Sequence, residues 1–142
     1  MLTELLADNI HFSNQQLAWQ DAITLASQPL LDQGYITQNY VDDIVKNIET
    51  NGSYLVLVPE IALPHARSNG NVSQTSMSFL KLNNPVIFPD GQPVSVMLVL
   101  ASADNDGHLD VLVEFAETLT DKEQQHLLKT ATTKEQILTI FN

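Results

Sequence analysis

Apolar positions recur along this chain in two rhythms, one of helical and one of strand period. Leu17, Ala18, Ala22, Leu25 and Ala26 return at helical spacing with Ile23 beside them, which predicts a core-facing helix through about Gln28. Ser13-Asn14-Gln15-Gln16 fits a capping box, so that helix is expected to begin there. Pro29 supplies no N–H and crowds the preceding turn; it should kink or end the helix, with Leu30 and Leu31 in a further turn that Gly34 closes. Thr37 opens a second helix with Val41, Ile44, Val45 and Ile48 on its apolar side and Asp42, Asp43, Lys46 and Glu49 on its wet side. Asn51-Gly52 stops it.

The strand rhythm begins with a short stretch, Asn9 to Phe12, and returns after the second helix. Leu55-Val56-Leu57-Val58 is an apolar run without alternation and reads as a buried strand ended by Pro59. A loop then runs through Asn69-Gly70-Asn71. Met77, Phe79, Leu80 and Leu82 suggest a third strand, Asn83-Asn84-Pro85 a turn, Val86-Ile87-Phe88 a short edge piece and Asp90-Gly91 another turn. Val94 to Leu100 carries the strongest strand pattern, with aliphatic residues on both faces. Carboxylates of the polar loop Asp104-Asn105-Asp106-Gly107 are placed to cap a helix with Leu109, Leu112, Val113, Ala116 and Leu119 on its apolar face. Thr120-Asp121-Lys122-Glu123 is a second capping box, opening a short helix to about Lys129. Thr133-Lys134-Glu135-Gln136 is a third, opening a last helix with Ile137, Leu138 and Ile140 buried. This order predicts an α/β fold, a three-layer α/β/α sandwich around a mixed sheet, in one domain spanning residues 1–142.

Composition narrows the chemistry. With 142 residues, 44% of them hydrophobic and 16% charged, the chain can bury a core without staples. It has no cysteine, which removes disulfides, thiolate metal sites and a thiol nucleophile. The formal charge of −11 repels phosphate backbones, so no nucleic-acid partner is expected, and a basic protein partner is favoured. The longest apolar run, Val96 to Ala101, is too short to insert in a membrane, and the start has no basic n-region; a cytoplasmic location is expected.

Candidate chemistry then falls on histidine. His11 lies in a strand pattern and His126 among Gln124, Gln125 and Lys129, where packing or surface roles are the plain reading. His65 and His108 each sit in a loop after a predicted strand, so neighbouring strand ends could bring both imidazoles into one cleft. There one neutral ring can attack while the other donates to developing charge. Arg67, the only arginine, stands two residues beyond His65. Asp104, Asp106 and Asp110 flank His108, yet no His-Glu-x-x-His or His-x-His pair accompanies them, which makes a metal-dependent hydrolase the weakest class. No Gly-x-Ser-x-Gly elbow and no Gly-rich phosphate loop occur.

The segment Asn51-Gly52-Ser53-Tyr54 with Val58-Pro59-Glu60-Ile61-Ala62-Leu63-Pro64-His65-Ala66-Arg67 resembles the phosphorylation-site segment of the EIIA components of the bacterial sugar phosphotransferase system. The branch resembled is the mannitol/fructose superfamily and, within it, the ascorbate type. Similarity continues through Leu80 to Val86, Ala103 to Leu109 and Glu117 to Asp121, and Gly34-Tyr35-Ile36-Thr37 with Tyr40-Val41 fits as well. The resemblance implies that His65 takes a phosphoryl group on Nε2 from phosphorylated HPr and passes it to a cysteine of an EIIB partner. It implies that His108 is the second histidine beside it, that uptake of ascorbate or a related substrate follows through the membrane component EIIC, and that no cofactor is needed. Arg67, with its planar fork, is then the natural phosphate clamp.

Two departures stand out. Many relatives have Gly where this chain has Glu60, and the branch tends to carry an Arg in the preceding helix, where only Lys46 is offered here. The competing class is a regulatory or protein-binding module of the same fold, in which a phosphohistidine signals rather than feeds transport.

Overall fold

The computed structural model of the chain describes residues 2–104 and 109–141. Its elements, in order, are α1 (Leu2–Leu6), β1 (Ile10–Ser13), α2 (Trp19–Asp32), α3 (Gln38–Asn51), β2 (Val56–Val58), β3 (Glu60–Ala62), β4 (Ser76–Ile87), β5 (Pro93–Ala101), α4 (Leu109–Leu119), α5 (Lys122–Thr130) and α6 (Lys134–Ile140). The strands form one mixed sheet in the order β1-β4-β5-β3-β2. β1 with β4 and β3 with β5 are parallel pairs, while β4 with β5 and β2 with β3 are antiparallel.

The lack of alternation in β5 has its cause in this arrangement. Met97, Val99 and Ala101 pack with Leu80 and Leu82 of β4 against Ala22, Ala26 and Leu30 of α2 and Val41, Ile44 and Ile48 of α3. Val96, Leu98 and Leu100 pack with Met77 and Phe79 against the other layer, with Leu2 and Leu6 of α1, Phe115 of α4, Leu128 of α5 and Ile137 of α6. A strand covered on both faces has no reason to carry polar residues at every second position. The expected three-layer α/β/α sandwich is the observed fold. Lys81 is the exception in β4: it is buried, and its Nζ donates to the Ala131 carbonyl at 3.4 Å, at the C-terminal end of α5. Helix C-termini leave carbonyls unsatisfied and favour a cation there.

Several boundaries differ from the pattern-based expectation. α2 begins at Trp19 without a side-chain cap. Ser13 instead closes a local turn, its Oγ accepting from the Gln15 N–H at 3.1 Å. The Asn14 carbonyl accepts from Asn84 Nδ2 at 2.7 Å, which ties this segment to β4. Pro29 does not end α2; burial of Leu30 holds the last turn, and Gly34, at φ 76°, closes it with the Tyr35 N–H on the Leu30 carbonyl at 3.0 Å. Asn83-Asn84-Pro85 is no turn but the irregular middle of a continuous β4, which regains its pairing with β5 at Val86 opposite Val94. The face of α4 is also rotated: Val111, Phe115 and Leu119 are buried, one turn apart, and Val113 is exposed. On α5 the cap is Asp121 rather than Thr120, whereas α6 carries the full capping box of Thr133 and Gln136. α1 had no signal in the pattern.

The correction that bears most on the site concerns residues 55–62. Leu55 alone of the run Leu55 to Val58 is buried. Val56–Val58 is an edge strand that turns at Pro59 into β3, a strand the pattern missed, and β3 leads to His65. Glu60, at the head of β3, has φ 71°. That left-handed backbone is open to Gly and strained for other residues. Its carboxylate accepts from Ser95 Oγ at 3.2 Å, on the neighbouring strand. Replacing Glu60 by Gly and by Ala removes this bond equally, so the pair isolates the backbone. Glu60→Gly is expected to be more stable than Glu60→Ala by about 1 kcal/mol in urea unfolding; equal midpoints would contradict a left-handed residue 60.

Candidate active site

Parallel pairing of β3 with β5 sends both strands toward the same edge of the sheet, so the segments that follow them emerge side by side. The chain after β3 keeps its anchors to the sheet: the Leu63 N–H donates to the Leu55 carbonyl at 2.9 Å, and the Leu100 N–H to the Pro64 carbonyl at 3.1 Å. Pro64 is buried, and His65 follows half-buried at the rim. Farther on, the Asn71 N–H donates to the Ser68 carbonyl at 2.7 Å, and the Thr37 N–H to the Asn71 carbonyl at 3.0 Å, tying the loop to the start of α3.

His65 opens onto a cleft of about 810 Å³. Arg67 and Ser68 join it from the same loop, Asn47 and Asn51 from the last turns of α3, and Ser102 and Asp104 from the segment after β5. His65 Nδ1 lies 2.7 Å from the Leu63 carbonyl oxygen. A carbonyl only accepts, so Nδ1 carries the proton; in the neutral ring Nε2 then keeps its lone pair and is the nucleophilic nitrogen. Arg67 is exposed at the cleft. Lys46 is exposed but does not line it; Asn47, the next residue, does. Glu60 does not line it either, being turned to Ser95. His11 and His126 are both exposed, away from this cleft. His108, and the expected capping residue Asp106, lie outside the described residues. The described start of that segment is held by Ser102 Oγ donating to the Asp104 carbonyl at 2.5 Å and by the Ala103 N–H donating to Thr75 Oγ1 at 3.1 Å. Among the described residues, no group of three or more His, Asp or Glu side chains is disposed to hold a metal ion.

One participant that the pattern did not single out is Tyr40. It is fully buried on α3, one turn before Ile44, on the helix's apolar stripe. Its hydroxyl donates to the Leu100 carbonyl at 2.6 Å and accepts from the Ala66 N–H at 3.1 Å, with the Ala66 carbonyl at 3.3 Å. Asn47 and Asn51 were legible only as polar residues a turn apart near the helix end. Burial raises the Tyr54 phenol, against a hydrogen bond with Asn47 that favours its ionised form.

These features define a protein class: an α/β domain presenting one tautomerically fixed histidine at adjoining strand ends. Comparison with known proteins identifies the family. The family model described as phosphoenolpyruvate-dependent sugar phosphotransferase system, EIIA 2, matches residues 4–142, and the chain belongs to this family. It is 34% identical over 125 residues to the mannitol-specific cryptic phosphotransferase enzyme IIA component of Escherichia coli (strain K12), covering 87% of this chain and 85% of that one. It is 27% identical over 146 residues to the ascorbate-specific PTS system EIIA component of Shigella boydii, covering 99% and 95%. The solution structure of the Escherichia coli mannitol-specific cryptic enzyme IIA superposes with a TM-score of 0.90 at 32% identity, over 99% of this chain and 97% of that one. The fold is also that of Escherichia coli mannitol enzyme IIA in its complex with phosphorylated enzyme IIB, with a TM-score of 0.79 at 22% identity, over 95% and 94%. No helix among the described residues is long and apolar enough to cross a membrane.

The environment of Tyr40 makes a pH prediction. Burial pushes its phenol from the ordinary 10.0 up to about 12, opposed by the Ala66 N–H and reinforced by the charge of Asp43. A phenol is neutral when protonated, so between these values the folded chain holds a proton that the unfolded chain has lost. The contribution is complete below pH 10 and is lost as pH rises through about 12. Wild-type stability is expected to fall across that window by roughly 2–3 kcal/mol more than that of Tyr40→Phe. Urea midpoints measured from pH 9 to 12 check it, and parallel curves would contradict it.

Proposed function

We propose that this chain is the phosphoryl carrier of a sugar phosphotransferase system, with His65 as the phosphorylated residue. The observation that carries the reading is the bond from His65 Nδ1 to the Leu63 carbonyl, 2.7 Å long, because it leaves Nε2 as the nitrogen able to attack. Nε2 attacks the phosphorus of phosphorylated HPr; the new N–P bond forms as the bond to HPr breaks, and HPr retains that electron pair. In the second transfer a thiolate of the EIIB partner attacks the same phosphorus, and the N–P electron pair returns to Nε2. Transfer of this kind demands positioning and charge stabilisation rather than further covalent help.

Arg67 is assigned to the phosphoryl oxygens. It lines the cleft from the loop that carries His65, and its guanidinium can hold two oxygens at once. His108 is assigned as the second imidazole, donating to those oxygens. This rests on the family resemblance and on the cleft-lining Ser102 and Asp104, which lead toward it from the end of β5. The carrier works on the cytoplasmic side as a single domain without a cofactor. The coupled uptake is of ascorbate or a related substrate; the mannitol-type relative makes a polyol the comparison compound in any uptake assay. The substrate is bound by the membrane component EIIC, which this chain reaches only through EIIB.

Incubation with phosphoenolpyruvate, Enzyme I and HPr, followed by mass spectrometry of the intact protein and its peptides, tests the reading. Wild type should carry one phosphate, at His65 Nε2, and His65→Ala none. His108→Ala should still be phosphorylated, but more slowly, and Arg67→Ala should slow transfer by roughly a hundredfold. An unmodified His65 in folded wild type overturns the proposal. A chase with EIIB separates transport from regulation: phosphate that stays on His65 favours a signalling module.

A further inference from the structure

We infer that Tyr40 is a positioning residue for His65, its buried hydroxyl closing a hydrogen-bonded ring that sets the tautomer and aim of the imidazole. The inference rests on His65 being the phosphoryl acceptor. Leu100 is held from both sides. Its N–H donates to the Pro64 carbonyl at 3.1 Å, and its carbonyl accepts from the Tyr40 hydroxyl at 2.6 Å. The same hydroxyl accepts from the Ala66 N–H at 3.1 Å. His65 is the one residue between these anchors, at the point where the chain turns away from β5. The Leu63 carbonyl that fixes Nδ1 belongs to the same short segment, so its direction depends on the same anchors.

The core alone does not call for this hydroxyl. Tyr40 is 0% exposed and its neighbours on the stripe, Val41, Ile44 and Ile48, are aliphatic. Phe would fill the same volume. A buried hydroxyl must find partners, and here both partners bear on the segment that carries His65. Its single proton goes to the nearer Leu100 carbonyl at 2.6 Å rather than to the Ala66 carbonyl at 3.3 Å, so the link to the His65 loop is the Ala66 N–H donating to the hydroxyl oxygen. The clamp thus joins α3, the end of β5 and the His65 loop. Small misplacements of a reacting group cost rate out of proportion to their size.

Tyr40→Phe tests it by two readouts. In long-range ¹H–¹⁵N spectra, wild-type His65 should show a protonated Nδ1 and an unprotonated Nε2. In the variant the two nitrogen shifts should draw together as the tautomers mix. Phosphorylation by phospho-HPr should slow by about tenfold in kcat with KM for phospho-HPr little changed. Leu128→Ala, a destabilising change in the opposite layer, should keep the wild-type imidazole shifts and kcat. A folded Tyr40→Phe with wild-type shifts and wild-type kcat overturns the inference while leaving the carrier reading intact. Imidazole shifts that respond in a protein HPr never phosphorylates support the clamp and overturn the carrier reading. In wild type itself the Ala66 amide should exchange slowly with deuterium; exchange at an unprotected rate overturns the clamp without any variant.

Discussion

The site depends on one constraint: β3 and β5 are neighbours and run the same way. Parallel neighbours end at the same edge of a sheet, so the segment after β3 and the segment after β5 have to leave together. From that edge come His65, Arg67 and Ser68 on one side and Ser102 and Asp104 on the other. The β2–β3 hairpin makes the pairing feasible. It reverses the chain after α3 within a few residues and lets β3 lie alongside β5. Glu60, in a left-handed conformation, stands where the hairpin hands over to β3, and the register with β5 shifts between Glu60 and Ile61.

A scaffold for such a site must be stiff, and burial on both faces of β4 and β5 supplies the stiffness. Close packing on either side leaves these strands little freedom to shift. Even the charged residue in β4, Lys81, is satisfied at a helix end rather than left to open the layer. The loop bearing His65 takes its order from this scaffold through backbone bonds to Leu55 and Leu100 and through the Tyr40 hydroxyl. Arg67 shares its cleft with the amides of Asn47 and Asn51, the hydroxyls of Ser68 and Ser102, and the carboxylate residue Asp104. A net charge of −11 steers basic partners toward the molecule.

Local chemistry was legible wherever a short segment decides its own conformation. Thr37 and Thr133 cap helices because a hydroxyl can reach a nearby N–H, and Gly34 and Gly52 close them at positive φ. Where two segments compete for the same groups, pattern failed. Ser13 could have capped a helix, but Asn84 claims the Asn14 carbonyl and β4 keeps the segment. Asn83-Asn84-Pro85 has the composition of a turn, yet strand pairing resumes beyond it. Leu55 to Val58 has the apolarity of a buried strand, but its place at the sheet edge, beside β3 alone, exposes Leu57.

By itself the sequence determined the two rhythms, the α/β class, the absence of thiol chemistry and the segment in which His65 and Arg67 stand. These follow from spacing and residue type, which need no partner to be read. Only the tertiary structure decided that β3 exists and pairs with β5, that Nδ1 of His65 rests on the Leu63 carbonyl, and that Tyr40 reaches Ala66 and Leu100. Each of the pairings with β5 and Tyr40 joins residues about 25 to 60 positions apart in the chain. Such contacts form when the layers pack, so no local pattern announces them.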